Sequence, residues 1–256
     1  MKEIRLSDNS NPNIVFELSK KYNLGVEIQS FHDPYITKNK PDLKQEYKYL
    51  LKDFYKGKSL HAPFWDLNIG SKVDDIYNTT IKMYNLAYNT ALELDCSDVI
   101  VHNGYIPNTY WELAWINRAT ERWRKFLLNR NNIKFFIENQ FELNSSIICK
   151  LIDEVNMENF KMCLDIGHAH AHSNESVLDW IKNCGNRIGY VHLHNNNGIL
   201  DEHNKIDQGT ISIFDVLDSL ELYAPNAIWC IETSESELEN SYLLIKNMYD
   251  SGNIFV

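Results

Sequence analysis

Eight short β-branched runs alternate with longer amphipathic stretches from one end of this chain to the other, with no Pro-, Gly- or Ser-rich linker between them. The spacing predicts strands at residues 2–6, 25–29, 59–62, 99–102, 134–138, 161–165, 189–194 and 228–232. Helices are expected near 14–21, 42–55, 73–94, 110–128, 145–155, 175–182, 213–220 and 237–248. In the longest of these, Val73, Ile76, Tyr77, Thr80, Ile81 and Tyr84 recur at helical spacing behind Ser71 and Asp74 as N-terminal signals. Eight strand and helix units in 256 residues predict an α/β fold, a (β/α)8 TIM barrel formed by residues 1–256 as a single domain. An open doubly wound sheet usually carries a Gly-rich phosphate turn after its first strand, and none is present in a chain with only 10 glycines.

The composition, 44% hydrophobic and 23% charged, is that of a globular protein and excludes a disordered or fibrous chain. The longest apolar runs are too short to cross a bilayer, and the first residues lack the apolar stretch of a secretion signal, so no membrane association and a cytoplasmic location are expected. The five cysteines are scattered and include no Cys-x-x-Cys, which suggests reduced, mostly buried thiols. A formal charge of −10 argues against generic nucleic-acid binding, because phosphate neutralisation needs concentrated Lys and Arg.

Barrel enzymes place their chemistry at the C-terminal ends of the strands, so the last residue of each run is informative. Strands three to eight end at His61, His102, Glu138, Asp165, His192 and Glu232, all metal-ligand or proton-transfer types. His168 in Asp165-Ile-Gly-His168, and Asp201 and His203 in the loop after strand seven, extend the set to nine. Imidazole mixed with carboxylate, without thiolate, suits zinc, manganese, iron or cobalt, and nine donors could hold one to three ions if carboxylates bridge. A lone His or acid at a strand end is more often ordinary packing. Glu138 and Glu232, however, follow the apolar runs Phe135-Phe-Ile and Ile228-Trp-Cys-Ile, where an unpaired buried carboxylate is costly.

His192 should face the barrel interior if Val191 faces outward, and His194, two residues on, points the same way and is a candidate substrate contact. Glu27, Asn103 and Asn139 could face the same mouth and are further substrate-binding candidates. His170 and His172 are expected outside the ligand set. Lys72, Arg118 and Arg187 read as solvated helix faces, and the spacing of Trp111 and Trp115 favours core over a sugar-stacking wall.

The motifs Leu60-His-Ala-Pro63, Val99-Ile-Val-His102, Phe136-Ile-Glu-Asn139, Cys163-Leu-Asp-Ile-Gly-His168, Val191-His-Leu-His194, Asp201-Glu-His203 and Ile231-Glu-Thr233, in that order, resemble the xylose isomerase-like TIM-barrel superfamily. That superfamily includes sugar-phosphate isomerases and epimerases and the endonuclease IV type of abasic-site nuclease. The resemblance implies a one-ion quartet of Glu138, Asp165, His192 and Glu232 for the isomerase branch. It implies a trizinc set that adds His61, His102, His168, Asp201 and His203 for the nuclease branch. Two departures are visible: Asn195 stands where many relatives have Asp, and the usual Gly-x-Gly is reduced to Asp207-Gln-Gly209.

Three functions follow as expectations. The first is a divalent-metal-dependent isomerase or epimerase of a small sugar, sugar phosphate or polyol, with Glu138 and Glu232 moving the proton through an enediolate. The second is an endonuclease IV-like zinc phosphodiesterase, and the third a non-catalytic metal-dependent sugar-binding module. Duplex DNA is not favoured as a partner, because only Tyr35 with Lys38, Lys40 and Lys44 approaches a basic, aromatic-tipped loop. The oligomeric state is left open by the sequence.

Overall fold

A computed structural model describes residues 2–9 and 11–251, without the side chain of Lys38. Eight parallel strands, β1 (Ile4–Ser7), β2 (Gly25–Ile28), β3 (Lys58–His61), β4 (Asp98–His102), β5 (Lys134–Glu138), β6 (Phe160–Asp165), β7 (Ile188–Leu193) and β8 (Ile228–Ile231), close into a barrel in sequence order. The ring closes where β1 pairs with β8 through Arg5 opposite Cys230. Helices α1 (Pro12–Tyr22), α2 (Pro34–Asn39), α3 (Leu43–Leu50), α4 (Asp74–Glu93), α5 (Glu112–Leu127), α6 (Ser146–Val155), α7 (Ile166–His172), α8 (Val177–Cys184), α9 (Ile213–Tyr223) and α10 (Glu235–Asp250) connect the strands and surround them. The expected (β/α)8 barrel is what forms. None of the helices among the described residues is long and apolar enough to cross a membrane.

Two differences from the sequence reading concern the segment after β2. The single helix expected over 42–55 ends at Leu50, and a separate short helix, α2, precedes it. The signals for α2 are local: Asp33 accepts a hydrogen bond from the Tyr35 N–H at 2.7 Å, and Pro34 occupies the first turn, where its missing N–H costs nothing. Trp115 and Trp123 are buried as the helical pattern implies, but Trp111 sits at the start of α5 and is 86% exposed.

Strand alternation sorts the side chains into two cores. Outward residues such as Val99, Val101, Phe135, Ile137, Met162, Leu164, Val191, Leu193, Trp229 and Ile231 pack under the helices. The inward residues Ile100, Phe136, Cys163, Tyr190, Ile228 and Cys230 form a smaller apolar layer inside the barrel. Two positions further along each strand comes the next inward residue, and these are His102, Glu138, Asp165, His192 and Glu232. The period of two thus stacks a polar layer directly on an apolar floor. Below that floor Arg5, buried, pairs with Asp98 at 2.6 Å and Glu3 at 2.7 Å. All five cysteines are free thiols, and four of them are buried.

Candidate metal centre

His192 is the hub of the polar layer. Its Nδ1 lies 3.0 Å from Glu232, 3.3 Å from Glu138 and 3.5 Å from Asp165. Its Nε2 points the other way, 3.1 Å from the Glu27 carboxylate. The expected quartet therefore converges on one point. Glu138 continues beyond it: its Oε1 faces His192, while its Oε2 lies 3.1 Å from His61 Nε2 and 3.3 Å from His102 Nε2. A third group forms on the loop side, where Asp201 Oδ2 is 2.9 Å from His203 Nε2 and 3.2 Å from His168 Nε2. All nine donors read from the sequence are brought to one end of the barrel.

Three features of the chain test whether divalent ions fit here. The first is spacing: a tetrahedral shell at the usual ~2.1 Å ligand distance puts neighbouring donors about 3.4 Å apart, close to the 2.9–3.5 Å separations above. Histidine orientation is the second. His61 Nδ1 bonds the Ala62 carbonyl at 2.9 Å, His168 Nδ1 the Asn139 carbonyl at 2.9 Å and His203 Nδ1 the Glu232 carbonyl at 2.9 Å. Each contact favours the proton on Nδ1 and leaves Nε2 aimed at a carboxylate, the outer-partner pattern of metal-binding histidines. Charge is the third: Glu27, Glu138, Asp165 and Glu232 are all buried around His192, and among the described residues no Lys or Arg lines the cavity onto which Glu138 and Glu232 open. The buried Glu232 Oε2, Asp201 Oδ1 and His102 Nδ1 have no hydrogen-bond partner among the described residues. The donor set fits divalent cations.

The charges set against these acids among the described residues are those of imidazole, with Gln29 adding neutral hydrogen bonds to Glu27 and Glu232. Burial pushes the Glu138 carboxyl up, yet the nearby His102 and His192 charges outweigh it and bring it well below the usual range. Asp165 is lowered in the same way by His168 and His194 against the penalty of burial. In return His203 rises to about 10, its burial overcome by the Asp201 hydrogen bond.

The four side chains read as substrate contacts lie elsewhere. Glu27 is fully buried beneath His192. The Asn139 carboxamide is consumed by the Asp165 backbone, donating to its carbonyl and accepting from its N–H, both at 2.9 Å. Asn103 donates to the buried Glu142 at 2.7 Å. His194 is buried, 3.0 Å from Asp165 and stacked on His203 at 4.1 Å between ring centroids. Alternation turns Glu27 and His194 inward and Asn103 and Asn139, one residue past His102 and Glu138, outward, and none of the four lines the cavity. His170 bonds Thr210 and His172 packs on Phe141, both outside the ligand groups.

The cavity above the donors, about 320 Å³, is lined instead by Asn9, Gln29, His32, Phe64, Trp65 and Gln140 together with the ligand side chains. Gln29 was within reach of sequence reasoning, since it ends the second run. It donates to Glu27 at 3.0 Å and to Glu232, but an amide does not register in a search for ligand types. Phe64 stacks on His102 at 4.2 Å and on His32 at 5.6 Å, and carried no signal beyond following the His-Ala-Pro motif. Of the basic loop candidates, Lys44 pairs with Glu93, and the Lys38 side chain lies outside the described residues.

Fold and site together define a parallel barrel with a pocket of imidazole and carboxylate donors at its C-terminal mouth. The model of the family described as xylose isomerase-like TIM barrel matches residues 22–247, and the chain belongs to that family. It is 31% identical over 231 residues to an uncharacterized protein of Methanocaldococcus jannaschii, covering 78% of this chain and 75% of that one. Among solved structures, a D-tagatose 3-epimerase-like protein superposes with a TM-score of 0.78 at 23% identity, covering 99% of this chain and 98% of the other. The IolI protein with a bound zinc atom does so with a TM-score of 0.79 at 15% identity, covering 98% and 99%. At these identities the structural likeness is one of fold.

Proposed function

We propose that this chain is a divalent-metal-dependent phosphodiester hydrolase with a multinuclear centre. The observation that carries the reading is the placement of Glu138, whose two oxygens face two different donor groups. A carboxylate so placed serves as a bridge between two ions more readily than as a proton shuttle, the role the isomerase reading gives it together with Glu232. His61, His102 and Glu138 would hold one ion. Glu138, Asp165, His192 and Glu232 would hold a second, and His168, Asp201 and His203 a third. Bound divalent ions, zinc or manganese by donor type, would supply an acidified water and charge stabilisation of the attacking and leaving oxygens. The protein's own part is orientation and exclusion of water. Backbone carbonyls fix the imidazoles, and Phe64 with Trp65 walls one side of the cavity. With no Lys or Arg among the described residues of that lining, a terminal phosphate of a sugar phosphate would find no Lys or Arg partner there.

A second reading, a metal-dependent isomerase or epimerase of a small neutral sugar, is favoured by one observation: the quartet around His192 Nδ1 suffices for a single ion. The D-tagatose 3-epimerase-like neighbour supports it at the level of fold. Metal analysis with activity separates the two. The hydrolase reading expects two or three ions per chain and cleavage of bis(4-nitrophenyl) phosphate. His61→Ala should then lose an ion and at least ~100-fold in hydrolysis, beyond the 10–100-fold typical of an outer partner. One ion per chain, with ketose epimerisation that survives His61→Ala, would overturn it.

A further inference from the structure

Beside the metal cavity lies a second one of about 370 Å³, lined by Phe64, Trp65, Tyr105, Ile106, Tyr110 and Phe141 among others. The two share Phe64, Trp65, His102 and Gln140, so they adjoin one another as compartments of one cleft. The wall of the second is open to solvent and apolar: Trp65 is 61%, Ile106 50% and Phe141 41% exposed. Its one carboxylate is Asp66, and among the described residues no Lys or Arg lines it. Phe64, Trp65 and His102 already form a run of stacked rings, with centroids 4.8 and 4.2 Å apart, that faces both compartments. At the boundary, the Gln140 carboxamide makes no hydrogen bond among the described residues, although the Gln140 backbone N–H is held by Glu142 at 2.7 Å.

Resting on the hydrolase reading, we propose that this cleft is the subsite for an uncharged heteroaromatic ring, and that the substrate is a phosphodiester carrying a nucleoside arm. An exposed aromatic and aliphatic wall contiguous with a site for a charged group suits a molecule with a phosphoryl end and a flat apolar end. Rings stack on such a wall without a specific hydrogen-bond code, and the free Gln140 amide can meet the polar edge of a base. With no Lys or Arg among the described lining residues, this wall offers no side-chain partner to a second phosphate or carboxylate. A cavity of about 370 Å³ is of a size for one such ring.

Calorimetric binding of thymidine 5′-monophosphate, phenyl phosphate and methyl phosphate to the zinc-loaded chain tests this. The nucleotide is expected to bind at least ~10-fold more tightly than methyl phosphate. Ile106→Asp, a change on an exposed loop away from the donors, should remove most of that advantage, and Phe141→Ala should reduce it. Equal affinity for nucleotide and methyl phosphate overturns the proposal even if diesters are cleaved. Phenyl phosphate matching the nucleotide overturns the nucleoside assignment. Turnover of thymidine 5′-(4-nitrophenyl) phosphate against methyl 4-nitrophenyl phosphate keeps the two readings apart. Cleavage of neither, with the binding preference intact, removes the hydrolase reading and leaves the ring subsite standing.

Discussion

A carboxylate shut off from water has to be matched by a partner, and at Glu27 the match is His192 Nε2 at 3.1 Å and the Gln29 carboxamide at 3.0 Å. Burial alone would raise the Glu27 pKa, but the His192 charge and hydrogen bond lower it to about 2. When His192 gives up its second proton to an ion, an ionised Glu27 would hold the remaining imidazole proton on Nε2 and leave the Nδ1 lone pair facing Glu138, Asp165 and Glu232. In Glu27→Gln the amide oxygen can still accept that proton, but its charge is gone and the imidazole is a weaker donor. The variant is expected to fold as the wild type does and to bind zinc 10–100-fold more weakly in competition with a chromogenic chelator, the usual effect of losing an outer partner. An unchanged affinity would mean that Glu27 only fills space under the ring.

Among the elements, α7 shows how the chain ties one ligand to another. Asp165 ends β6, and its Oδ1 accepts from the His168 N–H at 2.7 Å, so the carboxylate caps the helix that carries the next donor. Gly167 lies between them, and a Cβ there would come within 2.0 Å of the His194 ring. Gly167→Ala should push His194 off His203, cost about 1–3 kcal/mol of stability through overpacking, and lower the ion content of the chain. Unaltered melting and metal analysis would show that the His194 ring can move aside freely. The same stretch shows what the sequence could and could not disclose. β-Branched runs and period-two alternation locate all eight strands to within a residue or two, and the donors at their ends follow, because facing inward is a local property. Depth is not local. Glu27 faces inward just as Gln29 and Glu138 do, but whether a residue meets the cavity or the packing below it depends on the stagger between neighbouring strands. α2 escaped notice because its six residues are too few to show a helical period, even though Asp33 and Pro34 announce its start.

Taken as a whole, the molecule separates its charges along the barrel axis. Arg5 closes the lower end between Asp98 and Glu3, whereas the upper end concentrates carboxylates and imidazoles, with no Lys or Arg among the described residues of the cavity lining. The overall charge of −10 adds to the strain of holding those acids together. Divalent ions would bind only the folded arrangement, so each ion held at about 1,000 times its dissociation constant would add roughly 4 kcal/mol to the stability of the fold. At about 2–4 °C per kcal/mol for a chain of this size, stripping even one such ion should lower the melting temperature by on the order of 10 °C. The measurement is a thermal melt of the zinc-loaded chain with and without a chelator, repeated at high and low salt. Repulsion between exposed charges is screened within a Debye length of about 10 Å at 0.1 M salt, but the buried cluster is not, so the chelator effect should persist in high salt while any surface contribution fades. A melting temperature indifferent to the chelator under both conditions would mean that imidazolium alone balances the buried carboxylates, and the three donor groups would then be a salt-bridge network with no ions to hold.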